Sequence, residues 1–405
     1  MIDVANKAEC TGCAACANAC PLDCISMTLD TEGCEYPRVN GAACVECGRC
    51  ERACPIITPV EQRELEQHAY LVQHKDPVVL SESTSGGAFT ALAQLVIDRG
   101  GIVYGAGFVK DGESKYPRVH HFGVDSFSDL AAFRNSKYVQ SEIGLVFREI
   151  KTKLRQNKEV LFSGTPCQVE GLLNYIGKDY QNLYTVDFVC HALPCRAVFD
   201  AYIDWLAEVY GKETSVVRFR DKRRYGYRYS NICAFEGNRQ QPYYCAGVES
   251  DPFLRAFFSD IGDRPSCYKC HFKKRYRVSD MTLWDCFDVS KFSQDLNDNR
   301  GATRVLVHTL QGNSMIEAMR SYAVIKELPV EKAVEGVEEM IASVGMNPKR
   351  DDFLSDIATL SGYEVVEKWF PDSLWVKAER FARNVVARFE FYDQVKSIAK
   401  KVKGR

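Results

Sequence analysis

Cys10-Thr11-Gly12-Cys13-Ala14-Ala15-Cys16-Ala17-Asn18-Ala19-Cys20-Pro21 is answered further along the chain by Cys44-Val45-Glu46-Cys47-Gly48-Arg49-Cys50-Glu51-Arg52-Ala53-Cys54-Pro55. Each run reads C-x2-C-x2-C-x3-C-P. A C-x2-C-x2-C loop wraps three thiolates around one face of an iron–sulfur cubane. The fourth cysteine, followed by proline, starts a short helix and reaches the other cluster. The spacing therefore predicts two 4Fe–4S clusters with crossed ligands. Cys10, Cys13, Cys16 and Cys54 form one set, and Cys44, Cys47, Cys50 and Cys20 the other. Paired C-x2-C also builds structural zinc sites, but zinc gains nothing from a third cysteine at x2 and a Cys-Pro, repeated twice. Cys24 and Cys34 fall outside both runs and read as small buried hydrophobes.

The two runs resemble a bacterial-type two-cluster ferredoxin, which implies an α+β domain over residues 1–60. Around it the chain has ordinary globular composition: 405 residues, 46% hydrophobic and 26% charged. A net charge of −2 gives no electrostatic case for nucleic acid as a partner. No apolar h-region precedes Cys10, and no run approaches the ~18 apolar residues that span a bilayer. These absences predict a cytoplasmic protein. Eighteen cysteines are unusual there. In a reducing compartment, cysteines at short fixed spacings mean metal binding or thiol chemistry rather than disulfides.

Residues 61–70 are polar and read as a linker. Helix and strand patterns then alternate. A small-residue turn at Ser83-Thr84-Ser85-Gly86-Gly87 precedes an apolar helical run over 88–97, and a strand follows at 102–108. A helix is expected near 145–155 and a strand at 160–162. That strand breaks into Ser163-Gly164-Thr165-Pro166-Cys167, with Pro166 suited to a first helical turn. A further strand, 183–189, ends at Cys190-His191. Alternation of this kind predicts an α/β domain with a largely parallel sheet, whose ligands bind beyond the carboxyl ends of strands. Cys167 and Cys190 sit at such ends. With Cys267-x2-Cys270 they supply four thiolates, enough for a third 4Fe–4S cluster; a structural zinc is the alternative. The nearby Lys273, Lys274 and Arg275 would favour thiolates and offset a cluster's negative charge. The turn at 83–87 offers helix N-terminal N–H groups suited to phosphate, without being a P-loop or a G-x-G-x-x-G fingerprint.

Several stretches together resemble the coenzyme F-420 hydrogenase/dehydrogenase beta-subunit family. They are Ser-Thr-Ser-Gly-Gly-Ala-Phe-Thr-Ala-Leu (83–92), Asn-Ser-Lys-Tyr-Val-Gln-Ser (135–141), Phe-Ser-Gly-Thr-Pro-Cys-Gln (162–168) and Val-Asp-Phe-Val-Cys-His (186–191). Phe-Arg-Asp-Lys (219–222), Arg-Pro-Ser-Cys-Tyr-Lys-Cys (264–270) and Ser-Asp-Met-Thr-Leu-Trp-Asp-Cys (279–286) extend the match. The resemblance implies an iron–sulfur flavoprotein oxidoreductase, with its cluster on Cys167, Cys190, Cys267 and Cys270. It makes Ser85, Gly86, Gly87, Ser136, Lys137, Tyr138 and Gln140 candidates for the FAD site, and His191 a candidate proton donor. Trp284 departs from a glycine common in relatives, and a bulky indole there would reshape the substrate pocket. The implied substrate is a small-molecule hydride donor or acceptor, either the deazaflavin coenzyme F-420 or a polysaccharide-related metabolite. The implied protein partner is a ferredoxin-like or hydrogenase-like donor or acceptor. An electron relay serving a separate catalytic partner is the alternative reading.

The FAD and cluster body is expected over 71–310, followed by a helical C-terminal extension over 311–405. A helix is expected at 330–346. Residues 374–405 carry nine Lys/Arg against three acidic side chains, with apolar residues at helical spacing. Such a helix either packs on its own domain or makes peripheral membrane contact.

Overall fold

The computed structural model describes residues 2–3, 6–61, 65–109 and 114–386. Most of the basic segment after residue 374 lies outside them. The two cysteine runs fold alike. Gly12 and Ala14 in the first, and Glu46 and Gly48 in the second, take positive φ between 51° and 68°. Each run then forms a five-residue helix, Ala15–Ala19 or Arg49–Ala53, and leaves it at Cys20 or Cys54 with extended backbone. Left-handed backbone costs an ordinary L-residue about 1–2 kcal/mol. Ala14 and Glu46 therefore hold a shape of the kind that gathers backbone N–H groups around an anion. Between the runs lies an antiparallel hairpin, β1 (Ile25–Leu29) and β2 (Glu35–Val39).

The hairpin and helices are tied to the body by part-buried polar contacts. Arg148 donates to the carbonyls of Ala17, Asn18 and Cys20 at 2.6–3.1 Å. Arg350 forks onto Glu32. Charge-assisted bonds of this geometry are among the stronger ones available.

The body starts with β3 (His68–His74), which takes over the last residues of the stretch read as linker. Next come β4 (Ile102–Val109), β5 (Arg118–Val124), β6 (Val160–Ser163) and β7 (Leu183–Phe188). β8 (Val216–Asp221), β9 (Asn231–Phe235) and β10 (Tyr244–Ala246) form a separate antiparallel sheet, in which Cys233 and Cys245 face each other and are disulfide-bonded. β11 (Met281–Asp285), β12 (Thr303–Val307) and β13 (Ala323–Leu328) return to the main sheet. Its order is β13-β3-β12-β11-β7-β6-β4-β5.

The expectation of a largely parallel sheet is corrected here: the sheet is mixed. Only β11-β7, β7-β6 and β6-β4 pair in parallel, and the flanking pairs are antiparallel. The reason lies in the connections. Helices Val146–Arg155 and Pro166–Ile176 provide the crossovers that parallel pairing needs, whereas among the described residues no α-helix lies between β4 and β5 or between β11 and β12. β6 runs apolar over Val160, Leu161 and Phe162 because both its faces are covered, and all three are fully buried. β13 lies beyond residue 310, so the sheet outlasts the recognisable motifs. The helix expected over 330–346 stops at Val334. Gly336, at φ 71°, turns the chain, and only a short 3-10 turn follows at Glu338–Met340.

Candidate functional site

The eight N-terminal cysteines line two separate cavities. Cys10, Cys13, Cys16 and Cys54 surround one of about 180 Å3. Cys20, Cys44, Cys47 and Cys50 surround the other, a gap of about 20 Å3. The repeat brings Cys20 and Cys54 across to the opposite run, because each follows a helix that carries it away from its own loop. Cys24 is a fifth thiol at the smaller cavity, 3.2 Å from Cys20. Burial and neighbouring thiols push Cys16 up to about 12. Such thiols stay neutral unless something positively charged draws their protons off.

A third thiol set lies in the body. Cys167 follows Pro166 at the start of its helix, where Thr165 and Gln168 complete a capping box. Cys190 follows β7, and Cys267 and Cys270 sit on and just after the 3-10 turn Pro265–Lys269. Burial raises Cys167 to about 11 and Cys190 to about 12, each raised further by Cys270. Cys267 is raised by burial and then by Cys190. The four thiols therefore lie near enough to feel one another's charge. Of the cations expected to flank them, only Lys273 does so, donating to the carbonyls of Cys190 and His191. Lys274 pairs instead with Glu170, and Arg275 with Glu331.

The third set adjoins the first. A Cβ on Gly171, on the same helix as Cys167, would come within 3.0 Å of Cys13 Sγ. Another trio, Glu32, Cys34 and Cys195, places donor atoms within 4.8 Å of one another. The Arg350 guanidinium, bonded to Glu32 and 3.7 Å from Cys195 Sγ, already supplies its positive charge.

Beyond the carboxyl ends of the parallel strands lies an interior cavity of about 560 Å3. That is within the ~300–1,000 Å3 typical of small-molecule and cofactor sites. Cys190 and His191 form part of its wall, as do Ser85, Gly87, Ser136, Lys137 and Tyr138. Ser136 is held by Thr84, through its N–H at 2.7 Å and its hydroxyl at 3.0 Å. Tyr138 stacks on Phe257. Lys137 donates to the carbonyls of Ala132 and Arg134, and desolvation pulls its ammonium down to about 7. His191 Nε2 lies 2.8 Å from Asp260 Oδ1.

Two candidates lie elsewhere. Gly86 is packed into the sheet, its N–H bonded to Thr303 Oγ1, and a Cβ there would meet Val72 O at 2.2 Å. Gln140 reaches the first cysteine loop, donating to Thr11 and Gly12 carbonyls and accepting from Arg264. Both serve the frame rather than the cavity wall.

Arg220 and Asp285, also in the wall, carried no assigned role in the sequence. Arg220 binds Asp285 at 3.0 Å, and Tyr227, outside the wall, donates to the same carboxylate at 2.9 Å. Both lining residues fall in quoted motifs, 219–222 and 279–286, which was the available signal. Trp284 lines the cavity beneath the Arg304 guanidinium, and its indole N–H has no partner among the described residues.

Residues 157–333 match the family model for the C terminus of the coenzyme F420 hydrogenase/dehydrogenase beta subunit. Over that segment the chain is similar to this beta-subunit family. That match is to a redox subunit of the F420 hydrogenase/dehydrogenase type. The matched segment contains all four body cysteines, His191, Arg220 and Asp285, and excludes both N-terminal thiol sets. No curated protein matches the chain. Among solved structures it is similar to a chain of the F420-reducing NiFe hydrogenase complex from Methanosarcina barkeri, a xenon-derivatised structure. The two share 16% identity at a TM-score of 0.42, covering 78% of this chain and 97% of that one. None of the described helices is long and apolar enough to cross a membrane.

Proposed function

We propose that this chain is an iron–sulfur flavoprotein oxidoreductase with three 4Fe–4S clusters and one FAD. The observation that carries the reading is the junction at Cys190. One residue belongs both to a set of four neighbouring thiols and to the wall of a cofactor-sized cavity. The donor sets suit iron–sulfur clusters: three groups of four thiols, two of them on loops whose paired left-handed residues suit an anionic guest. Cys10, Cys13, Cys16 and Cys54 would hold one cluster, Cys20, Cys44, Cys47 and Cys50 a second, and Cys167, Cys190, Cys267 and Cys270 the third.

The cavity suits a flavin dinucleotide in size and charge. Lys137 and Arg220 supply positive charge, and the helix Ala88–Asp98 begins at Gly87 with no side-chain cap, leaving its N-terminal N–H groups to an anionic ligand. Bound FAD would supply the chemistry that joins one-electron and hydride transfers. The chain's own part is to orient and to manage protons. Asp260 holds His191 through Nε2, leaving Nδ1 as the ring atom that exchanges a proton with a substrate. Tyr138 and Phe257 give the cavity an aromatic side, and Trp284 with Arg304 bounds it below. Those two bulky groups favour a substrate whose ring stacks on an indole and whose acidic groups meet a guanidinium; coenzyme F-420 and a sugar-derived metabolite both remain within that class. The protein partner is a low-potential donor or acceptor meeting the exposed Cys47 edge of the second thiol set.

Anaerobic photoreduction of the purified protein tests the reading. It should bleach a broad cluster absorption together with a structured flavin band, and re-oxidation by a hydride acceptor should restore both. A colourless protein overturns it.

A further inference from the structure

Arg264 is fully buried, yet among the described residues no carboxylate pairs with it. Its guanidinium is spent on neutral acceptors. Nε donates to Cys10 O at 2.9 Å, Nη1 to Gln140 Oε1 at 3.0 Å and Nη2 to Glu35 O at 2.7 Å. The Tyr36 ring centroid lies 4.5 Å from the guanidinium carbon. Burying a cation without a counter-charge costs several kcal/mol, and hydrogen bonds to carbonyls return only part of it. The missing negative charge has an address. Cys34 comes first among the groups that hold the guanidinium charged, followed by Cys10 of the first thiol set, Tyr36 and Cys267 of the third, and Arg264 in turn lowers the Cys10 and Cys167 thiols. The backbone joins the same two places. Arg264 O accepts from Cys267 N at 2.9 Å, and its side chain grips the carbonyl of Cys10. Gln140 fastens the guanidinium to the loop by bonding Thr11 and Gly12 with its amide.

We propose that Arg264 is the shared counter-ion of the Cys10–Cys13–Cys16–Cys54 site and the Cys167–Cys190–Cys267–Cys270 site, raising the reduction potentials of both clusters together. The proposal rests on the cluster reading above and deepens it. A cluster bound by four thiolates is anionic and gains one more negative charge on reduction, so a fixed cation in a low-dielectric interior favours the reduced form. One cation between two sites biases both in the same direction. The Cys20–Cys44–Cys47–Cys50 site does not touch Arg264 and feels it little. Arg264 is thus a positioning and tuning residue that holds the Cys10 backbone and lies outside the wall of the large cavity.

The test is a redox titration of the holoprotein followed by electron paramagnetic resonance, comparing wild type with Arg264→Gln and Arg264→Lys. Arg264→Gln should lower the midpoints of two of the three cluster signals. A tenfold change in each oxidised-to-reduced ratio, about 59 mV for one electron, is the expected scale. Arg264→Lys keeps the charge and should hold both midpoints nearer wild type. Three unmoved midpoints, or a shift confined to one signal, overturn the proposal. Should Arg264→Gln lose iron, Gln140→Glu sets a carboxylate against Nη1 and must lower the same two midpoints; failure to do so also overturns it. Wild-type iron short of three clusters defeats the cluster reading and the proposal with it. Full iron with unmoved midpoints defeats the proposal alone.

Discussion

Replacing Arg277 with methionine should cost the fold about 3 kcal/mol and should loosen the third thiol set. Arg277 and Asp187 are each about 2% exposed, with Nη1 3.1 Å from Oδ1. Asp187 stands on β7, three residues before Cys190. Arg277 also donates to Phe188 O and Lys274 O, and so pins the strand end to the segment that follows Cys270. Removing one partner of a buried pair costs about 3–5 kcal/mol, because the other charge is left in a poor dielectric. Asp187 keeps hydrogen bonds from Thr282 Oγ1 at 2.6 Å and Ser279 Oγ at 3.0 Å, which places the loss at the lower end. Three kcal/mol is on the order of a hundredfold in the folding equilibrium. The sign with pH is fixed. Burial already raises the Asp187 carboxyl despite Arg277, and losing the arginine raises it further. The folded variant then binds a proton that the unfolded chain releases, so its deficit grows as pH rises through that window and shrinks in acid. Anaerobic urea unfolding of the holoprotein near pH 8 and near pH 5 measures this. Asp187→Asn combined with Arg277→Met should regain part of the loss. A single variant as stable as wild type, or a double variant no better than the single, refutes the argument.

Three further outcomes are expected. Changing Cys267 and Cys270 to alanine should remove about four irons per chain while the N-terminal cluster signals persist; undiminished iron would refute the body set. Lys137 is pulled down to about 7 by desolvation, and an anionic ligand stabilises its charged form. Flavin affinity should therefore fall as pH rises above that value, by up to tenfold per unit for a single proton; fluorescence titration should find Lys137→Met weaker and flat with pH, and an unchanged slope would count against the role. Gly86→Ala forces a Cβ to within 2.5 Å of backbone atoms of both β3 and β12. Such overpacking costs about 3 kcal/mol or more, so the melting temperature should drop along with bound flavin; an unchanged melting curve contradicts the packing argument.

Much of the frame was legible because it depends on local rules. The two cysteine runs announce their loops and short helices, Pro166 with Thr165 and Gln168 starts a helix, and the apolar run at 160–162 is a strand buried on both faces. What stayed hidden depends on contacts between distant residues. β3 pairs with β12 on one side and with β13 on the other, each more than two hundred residues away, and no periodicity records that. Gly86 looks like a phosphate-loop glycine until Val72 is seen against it. Gln140 sits in a cofactor-like motif, yet its amide faces the cysteine loop, because Arg264 and the Gly12 carbonyl are there to receive it. Arg264 itself reads as an ordinary residue before Pro265; only burial without an anion marks it out.

The central claim is that twelve of these eighteen cysteines hold three clusters beside one flavin. Its most direct test is the iron, acid-labile sulfide and flavin content of full-length protein purified without oxygen. About twelve irons, about twelve sulfides and about one FAD per chain are expected. Zinc in place of iron, or iron and sulfide without flavin, would contradict it.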